Sequence, residues 1–394
     1  MVNGYMGKYI NKNYVIWSLI SIPILVGVFF IVRQNFIIRL VDDRNLAEAH
    51  YLAKRLVGPP EIIKAIYLTS TSSGNNKKID RLIELAQKSQ LNSVVIDIKD
   101  SSGYISYDSS LPEADTYKTE LIEIKNIDLL IKKLHDNHIY VIARMAVFQD
   151  PILARARPDW TVKNKNTGGI WYDNRRLAWI DPANREAWKY FADLAKDAIS
   201  RGIDEINLDY IRFPSDGNLE AMVFPSWPEG MTRPQILNEF FKYMRSELGS
   251  VRMSIDLFGF VTTRKEDFGV GQVIEDAFEY FDFISPMIYP SHYPPNFLGF
   301  ENPAEHPYEV IYHTMKSGQE RLEAFLQKTM NNEQGTMNRK PKLRPWIQDF
   351  DLGADYTPAM VASEIKATQD ALGDDYRGFM LWNARNVYSE SVFK

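Results

Sequence analysis

From Glu61 onward the chain alternates between two kinds of segment, and this alternation restricts the fold more than any single motif does. Eight short runs rich in β-branched and aromatic residues recur: "AIYLTS" (65–70), "SVVIDIKD" (93–100), "IYVIARMAVF" (139–148), "EINLDYIRF" (205–213), "VRMSIDLFGF" (251–260), "FDFISPMIYP" (281–290), "LRPWIQDF" (343–350) and "RGFMLWNARN" (377–386). Between them lie segments with helical apolar spacing, among them "KIDRLIELAQKS", "NIDLLIKKLHDN", "NREAWKYFADLAKDAISRG", "RPQILNEFFKYMRSEL" and "TPAMVASEIKATQDAL". Strands that alternate with helices pair in parallel through crossovers. Eight such units predict an α/β fold, a (β/α)8 TIM barrel spanning 61–394. The competing doubly wound open sheet usually carries a phosphate-binding glycine loop after its first strand, and "TSTSSGNNKKID" has neither G-x-G-x-x-G nor a Walker pattern.

The N-terminal part reads differently. "YVIWSLISIPILVGVFFIV", 14–32, holds no charge and is bounded by Lys12 and Arg33. At about 1.5 Å per residue it nearly crosses a hydrocarbon core of about 30 Å, and membrane helices tolerate a proline such as Pro23. "RQNFIIRL" follows where a cleaved signal peptide would need small residues. The expectation is a short tail (1–13), an uncleaved transmembrane anchor (14–32), a helical stalk or linker (33–60) stopped by "GPP", and then the barrel. Lys8 and Lys12 face Arg33, Arg39 and Arg44 across the segment, so charge does not set the orientation. A single-pass protein with its large domain outside the cytoplasm is expected from the function proposed for that domain.

Composition removes several functions. A net charge of -5 and a pI near 5.8 offer no basic stripe for nucleic acid. With no cysteine there is no disulfide, thiolate metal site or Cys nucleophile. His135 and His138 fall on a helix before the third strand and are expected on the surface; no other histidine pair has ligand spacing, so neither metal nor cofactor is expected. G-x-S-x-G is absent too.

In a barrel of this kind the chemistry sits at the C-terminal ends of the strands. Polar residues gather there: Asp97, Lys99 and Asp100, then Arg144, then Asn207, Asp209 and Arg212, then Asp256, then Tyr289 and His292, then Trp346, Gln348 and Asp349, and finally Trp382, Asn383 and Arg385. An ionised carboxylate inside an apolar strand such as "EINLDYIRF" is costly unless paired or wet. Alternation from Asn207 turns Asp209 inward near the barrel mouth, beside Arg144 and Asp256. Two carboxylates across a cleft suit hydrolysis of a glycosidic bond. Asp209 is the expected nucleophile or base, and Asp256, with Asp349 second, the expected proton donor. Substrate contacts are expected from Asp97, Lys99, Arg144, Asn207, Arg212, Tyr289, His292, Trp346, Gln348, Trp382 and Asn383. The long loops after strands three and six add Trp160, Trp171, Tyr172, Trp179, Tyr293, Phe297 and Phe300, aromatic faces of the kind that stack on sugars.

These segments, together with "VVIDIKDSSGYISYDS", "YVIARMAVFQDPILARARPDW", "GGIWYDNRRLAWIDP", "DEINLDYIRFPSDG", "FISPMIYPSHY" and "GFMLWNARNVYS", resemble the bacterial "putative glycosyl hydrolase domain" family, catalogued as a domain of unknown function. The resemblance covers about residues 62–390 and implies a barrel related to glycoside hydrolases, with a polysaccharide or other glycan as partner. Chitinase-like hydrolases are similar more distantly. Their fourth strand ends in D-x-x-D-x-D-x-E, and here that register reads Asp204, Asn207, Asp209 and Ile211. The final Glu, the proton donor of that family, is missing. The expected function is a membrane-anchored glycoside hydrolase of a cell-surface or extracellular polysaccharide; a non-catalytic glycan-binding barrel is the alternative.

Overall fold

The computed structural model describes residues 54–331 and 339–394. Eight strands form the expected ring: β1 (Ile63–Leu68), β2 (Ser93–Lys99), β3 (Tyr140–Ala146), β4 (Glu205–Asp209), β5 (Arg252–Phe258), β6 (Phe283–Met287), β7 (Trp346–Gln348) and β8 (Gly378–Trp382). Each pairs in parallel with its neighbours in sequence, and β1 also pairs with β8, so the sheet closes on itself. Between them run α1 (Asn76–Lys88), α2 (Ile127–His135), α3 (Arg185–Ser200), α4 (Arg233–Leu248), α5 (Ile274–Tyr280), α6 (Pro307–Asn331) and α7 (Pro358–Leu372). Side-chain caps fix where several of these start. Asn184 accepts from the Ala187 amide ahead of α3, and Thr232 forms a reciprocal capping box with Gln235 ahead of α4.

Strand periodicity divides the apolar residues into two cores. The outward-facing set, Ile96, Val141, Met145, Ile206 and Leu208 among it, packs against helix faces such as Ile79 and Leu82 of α1. The inward-facing set, Ala65, Val95, Ile142, Trp346 and Met380, fills the barrel. Its lower end is polar. Glu205 and Arg344 are fully buried ion partners there; Glu205 also accepts from Ser254 Oγ at 2.6 Å and Tyr140 OH at 3.2 Å, and the Arg344 guanidinium lies over Phe283.

Several expectations change. The fourth strand ends at Asp209 and not at 213, because Tyr210 takes a left-handed backbone (φ 53°). The seventh is split: Lys342–Leu343 pairs with β6, Pro345 interrupts with no amide to donate, and β7 resumes at Trp346. After β8 the described chain forms a 3-10 turn, Glu390–Phe393, in place of an eighth helix, with Phe393 against Phe379. The connection after β2 carries extra structure that the apolar pattern did not reveal: a strand Ile105–Tyr107, a helix Pro112–Tyr117 and a strand Glu120–Ile124. His135 is not on the open surface. Its Nε2 lies 2.8 Å from Asp204, whose carboxylate also accepts from the Leu56 and Val141 amides. Leu56 is buried with the lower barrel interior, so the packed domain extends N-terminal of 61. The anchor expected at 14–32 and most of the stalk lie outside the described residues; among those described, no helix is long and apolar enough to cross a membrane.

Candidate active site

At the C-terminal end of the barrel a cavity of about 430 Å³ opens over β3 to β8. Its wall includes Arg144, Asp209, Arg212, Asp256, Tyr289, His292, Trp346 and Trp382. Its charged centre follows from adjacency of strands. Arg144 on β3 stands between β2 and β4, so its guanidinium reaches Asp97 on one side (Nη1, 2.6 Å) and Asp209 on the other, through Nη2 and through Nε at 3.1 Å. The second oxygen of Asp97 accepts from Tyr67 OH, and the second oxygen of Asp209 accepts from the Tyr210 amide at 2.5 Å. The left-handed turn at Tyr210 aims that amide back at Asp209.

Asp256, one strand further, is in a different state. Its Oδ1 accepts from Asn207 Nδ2 at 2.8 Å and from the Trp346 indole N–H at 2.7 Å. Its Oδ2 is buried without a hydrogen bond, 3.9 Å from Arg144 Nε. Burial first, and then the charge of Asp209, push the Asp256 carboxyl well above the usual carboxylate range, although Arg144, Asn207 and Trp346 pull the other way. Two donors on Oδ1 leave Oδ2 to carry the proton. Arg144 thus faces one carboxylate that it holds by hydrogen bonds and a second carboxyl group that burial biases toward its protonated form.

The walls are aromatic. Trp382 stacks on Tyr67 at 4.2 Å between ring centroids and meets Trp346 edge-on at 5.6 Å, and Arg144 lies over Trp382. Tyr289 is buried opposite; desolvation, then Asp256 and Asp209, raise its hydroxyl pKa, which keeps it a proton-bearing donor. Gly259 allows the β5 and β6 loops to meet, since a Cβ there would lie 2.6 Å from the Tyr293 hydroxyl and 2.7 Å from the Met287 carbonyl.

Eight of the expected catalytic and substrate-contact side chains therefore share the cavity: Asp209, Asp256, Arg144, Arg212, Tyr289, His292, Trp346 and Trp382. The others sit behind or beside it. Asp97 and Asn207 contact the cavity residues Arg144 and Asp256 from outside the wall. Lys99 is fully buried on Asp150 (2.9 Å) and the Ala146 carbonyl, so it fastens the β2 and β3 ends together and does not meet a ligand. Gln348 holds the β6 loop through Ser291, and Asn383 donates to the Asp349 and Val387 carbonyls. Asp349 is committed to Ser389, accepting from its amide at 2.8 Å and its hydroxyl at 2.9 Å, and is not part of the cavity wall. The loop tryptophans Trp160, Trp171 and Trp179 are buried, with the Trp171 indole on the Asn218 carbonyl and that of Trp179 on Asp173. They form the core of the loop and are not sugar platforms. Phe300 stacks on His306. Tyr293, one of the expected loop aromatics, also lines the cavity, whereas Tyr67, Tyr210, Phe258, Phe260 and Gln272 belong to the site or its support and were not singled out by sequence; only their places at strand ends hinted at it.

A closed (β/α)8 barrel with a guanidinium-bridged carboxylate pair at its C-terminal mouth defines the architecture of a glycosyl-hydrolase-like domain. Residues 65–388 match the family described as "Putative glycosyl hydrolase domain", and the chain belongs to that family. Among solved structures it is similar to a hypothetical protein from Ruminiclostridium thermocellum ATCC 27405, at 38% identity over 48% of this chain and 96% of that one, with a TM-score of 0.46. It is also similar to an alpha-galactosidase from Thermus thermophilus (13% identity, 85% of this chain and 61% of that one, TM-score 0.48). A third is an endo-beta-1,4-mannanase from Thermotoga petrophila (14% identity, 83% and 69%, TM-score 0.48). The chain spans less than two thirds of the alpha-galactosidase's length. No curated protein matches it.

Proposed function

We propose that the cavity hydrolyses O-glycosidic bonds of a polysaccharide with Asp209 as nucleophile and Asp256 as acid and base. The observation that carries this is the pairing, across Arg144, of a hydrogen-bonded carboxylate with a second, buried carboxyl group whose pKa burial raises. In the first step Asp209 attacks the anomeric carbon, the glycosidic C–O bond breaks, and the Asp256 proton passes to the leaving oxygen. In the second, Asp256, now a carboxylate, takes a proton from water whose oxygen attacks the same carbon and releases Asp209. Asp209 Oδ2 and Asp256 Oδ2 lie 3.1 and 3.9 Å from one Nε, which bounds their separation at about 7 Å and admits both the about 5–5.5 Å of this two-step, retaining course and the low end of the about 6.5–9.5 Å range used for inversion.

We also propose that residues 14–32 anchor the chain in a membrane with the barrel outside the cytoplasm, where polysaccharide is met; resistance to alkaline extraction of the full chain, lost on deleting 14–32, is the expected result. The catalytic reading is tested by release of reducing ends from a panel of surface polysaccharides. Asp209→Asn should lower release by at least about 10³-fold while leaving the fold intact. Binding without release, equal in both proteins, would make the barrel a glycan-binding module.

A further inference from the structure

Arg212 is a cation on the cavity wall that the proposed reaction does not use. The buried arginines of the barrel have carboxylates: Arg144 holds Asp97 and Asp209, and Arg344 holds Glu205, whereas Arg212 is half-buried. Among the described residues no carboxylate comes within ion-pair distance of Arg212. Its nearest acidic neighbours are committed elsewhere: Asp209 to Arg144, Asp173 to the Arg175 and Leu177 amides and the Trp179 indole, and Asp216 to the Asn174 amide. The guanidinium is instead caged by rings, 4.8 Å from Trp179, 5.0 Å from Phe258 and 5.7 Å from Tyr210. Burial weakens its hold on the proton more than those distant charges restore it, the opposite of what a structural ion pair does.

Which donors remain open narrows the ligand. Nη1 donates to the Phe213 carbonyl at 3.2 Å and to Ser215 Oγ at 3.1 Å, whereas Nε and Nη2 have no partner among the described residues. Those two nitrogens form the side edge of the guanidinium, two parallel N–H groups matched in spacing to the two oxygens of a carboxylate. We propose that the cavity accepts a glycan whose ring at this subsite carries a carboxylate, a uronic-acid unit, bound by the Nε–Nη2 edge of Arg212. This rests on the glycosidase reading above and adds the substrate class. A single caged cation reads one carboxylate on one ring, so it agrees with a chain that has no basic stripe.

The test is calorimetric binding to the full chain in detergent. The probes are tetrasaccharides of galacturonate, mannuronate and glucuronate, their neutral galactose, mannose and glucose counterparts, and a sulfated galactose tetrasaccharide. At least one carboxylated probe should bind ten-fold or more tighter than its neutral counterpart, with affinity falling as salt rises. Arg212→Gln should erase that preference, so that carboxylated and neutral probes bind alike, and Arg212→Lys, which keeps charge but loses the fork, should retain only part of it. Equal or tighter binding of neutral probes, or a preference that survives Arg212→Gln, overturns the proposal; preference for the sulfated probe overturns the carboxylate assignment. Should Arg212→Gln fail to fold, the salt dependence and Arg212→Lys decide. Reducing-end release confined to neutral polysaccharides would sink this inference and leave the hydrolase standing, whereas neither binding nor release with any glycan would sink both.

Discussion

Asp209 and Asp256 have the same chemistry and opposite surroundings, and the difference lies in single contacts. The Trp346 indole N–H and Asn207 amide stabilise the ionised form of Asp256 against desolvation and the charge of Asp209. Removing the indole donor should therefore raise the acid's pKa further. In Trp346→Phe we expect the alkaline limb of the kcat/KM profile to move to higher pH, and the carboxylic C=O infrared band of Asp256 to persist to higher pH as well; an unmoved limb and band would make Trp346 a packing residue only. The same state has a stability signature. Because its folded pKa is raised, Asp256 stays protonated in the native state where the unfolded chain has lost the proton, so stability falls as pH rises from the ordinary carboxylate range toward the folded value. Asp256→Asn mimics the neutral acid and escapes that loss. It should melt higher than the parent at pH 7, with the difference closing below about pH 4. Asp209, Asp256 and Arg144 were legible because period-two alternation places them at strand ends facing inward. The partnership of Trp346 with Asp256 crosses the barrel, and Ser389 reaches Asp349 from forty residues on; no local pattern encodes either contact.

The strands and helices show the same division. Amphipathic spacing located the helices, and β-branched runs located all eight barrel strands, because both reflect which face is buried. Where the backbone itself decides, spacing was silent: the left-handed Tyr210 that ends β4, the proline gap before β7, and the short strands after β2. Indole partners likewise cannot be read from composition, which is why three loop tryptophans looked like sugar platforms. Closure of the ring depends on one such backbone position. Gly378, at the start of β8, has φ 99°, and a Cβ there would lie 1.7 Å from the Ile63 carbonyl oxygen of β1. Gly378→Ala must part the two strands or distort both, and we expect a loss of about 3 kcal/mol or more in denaturant unfolding. A loss under about 1 kcal/mol would mean that the seam between β1 and β8 yields easily.

The barrel as a whole is open at one end. Below the cavity, Arg344 and Glu205 are sealed among Tyr140, Ser254 and Phe283, and their mutual dependence is testable. Arg344→Met strands a buried carboxylate and should cost about 3–5 kcal/mol, much of it recovered when Glu205→Gln is added; a double variant no better than the single would place the cost in packing. That buried polar group lies on the barrel axis beneath the cavity, so under the proposed function a glycan would reach Asp209 and Asp256 over the C-terminal rim, and its products would leave over the same rim.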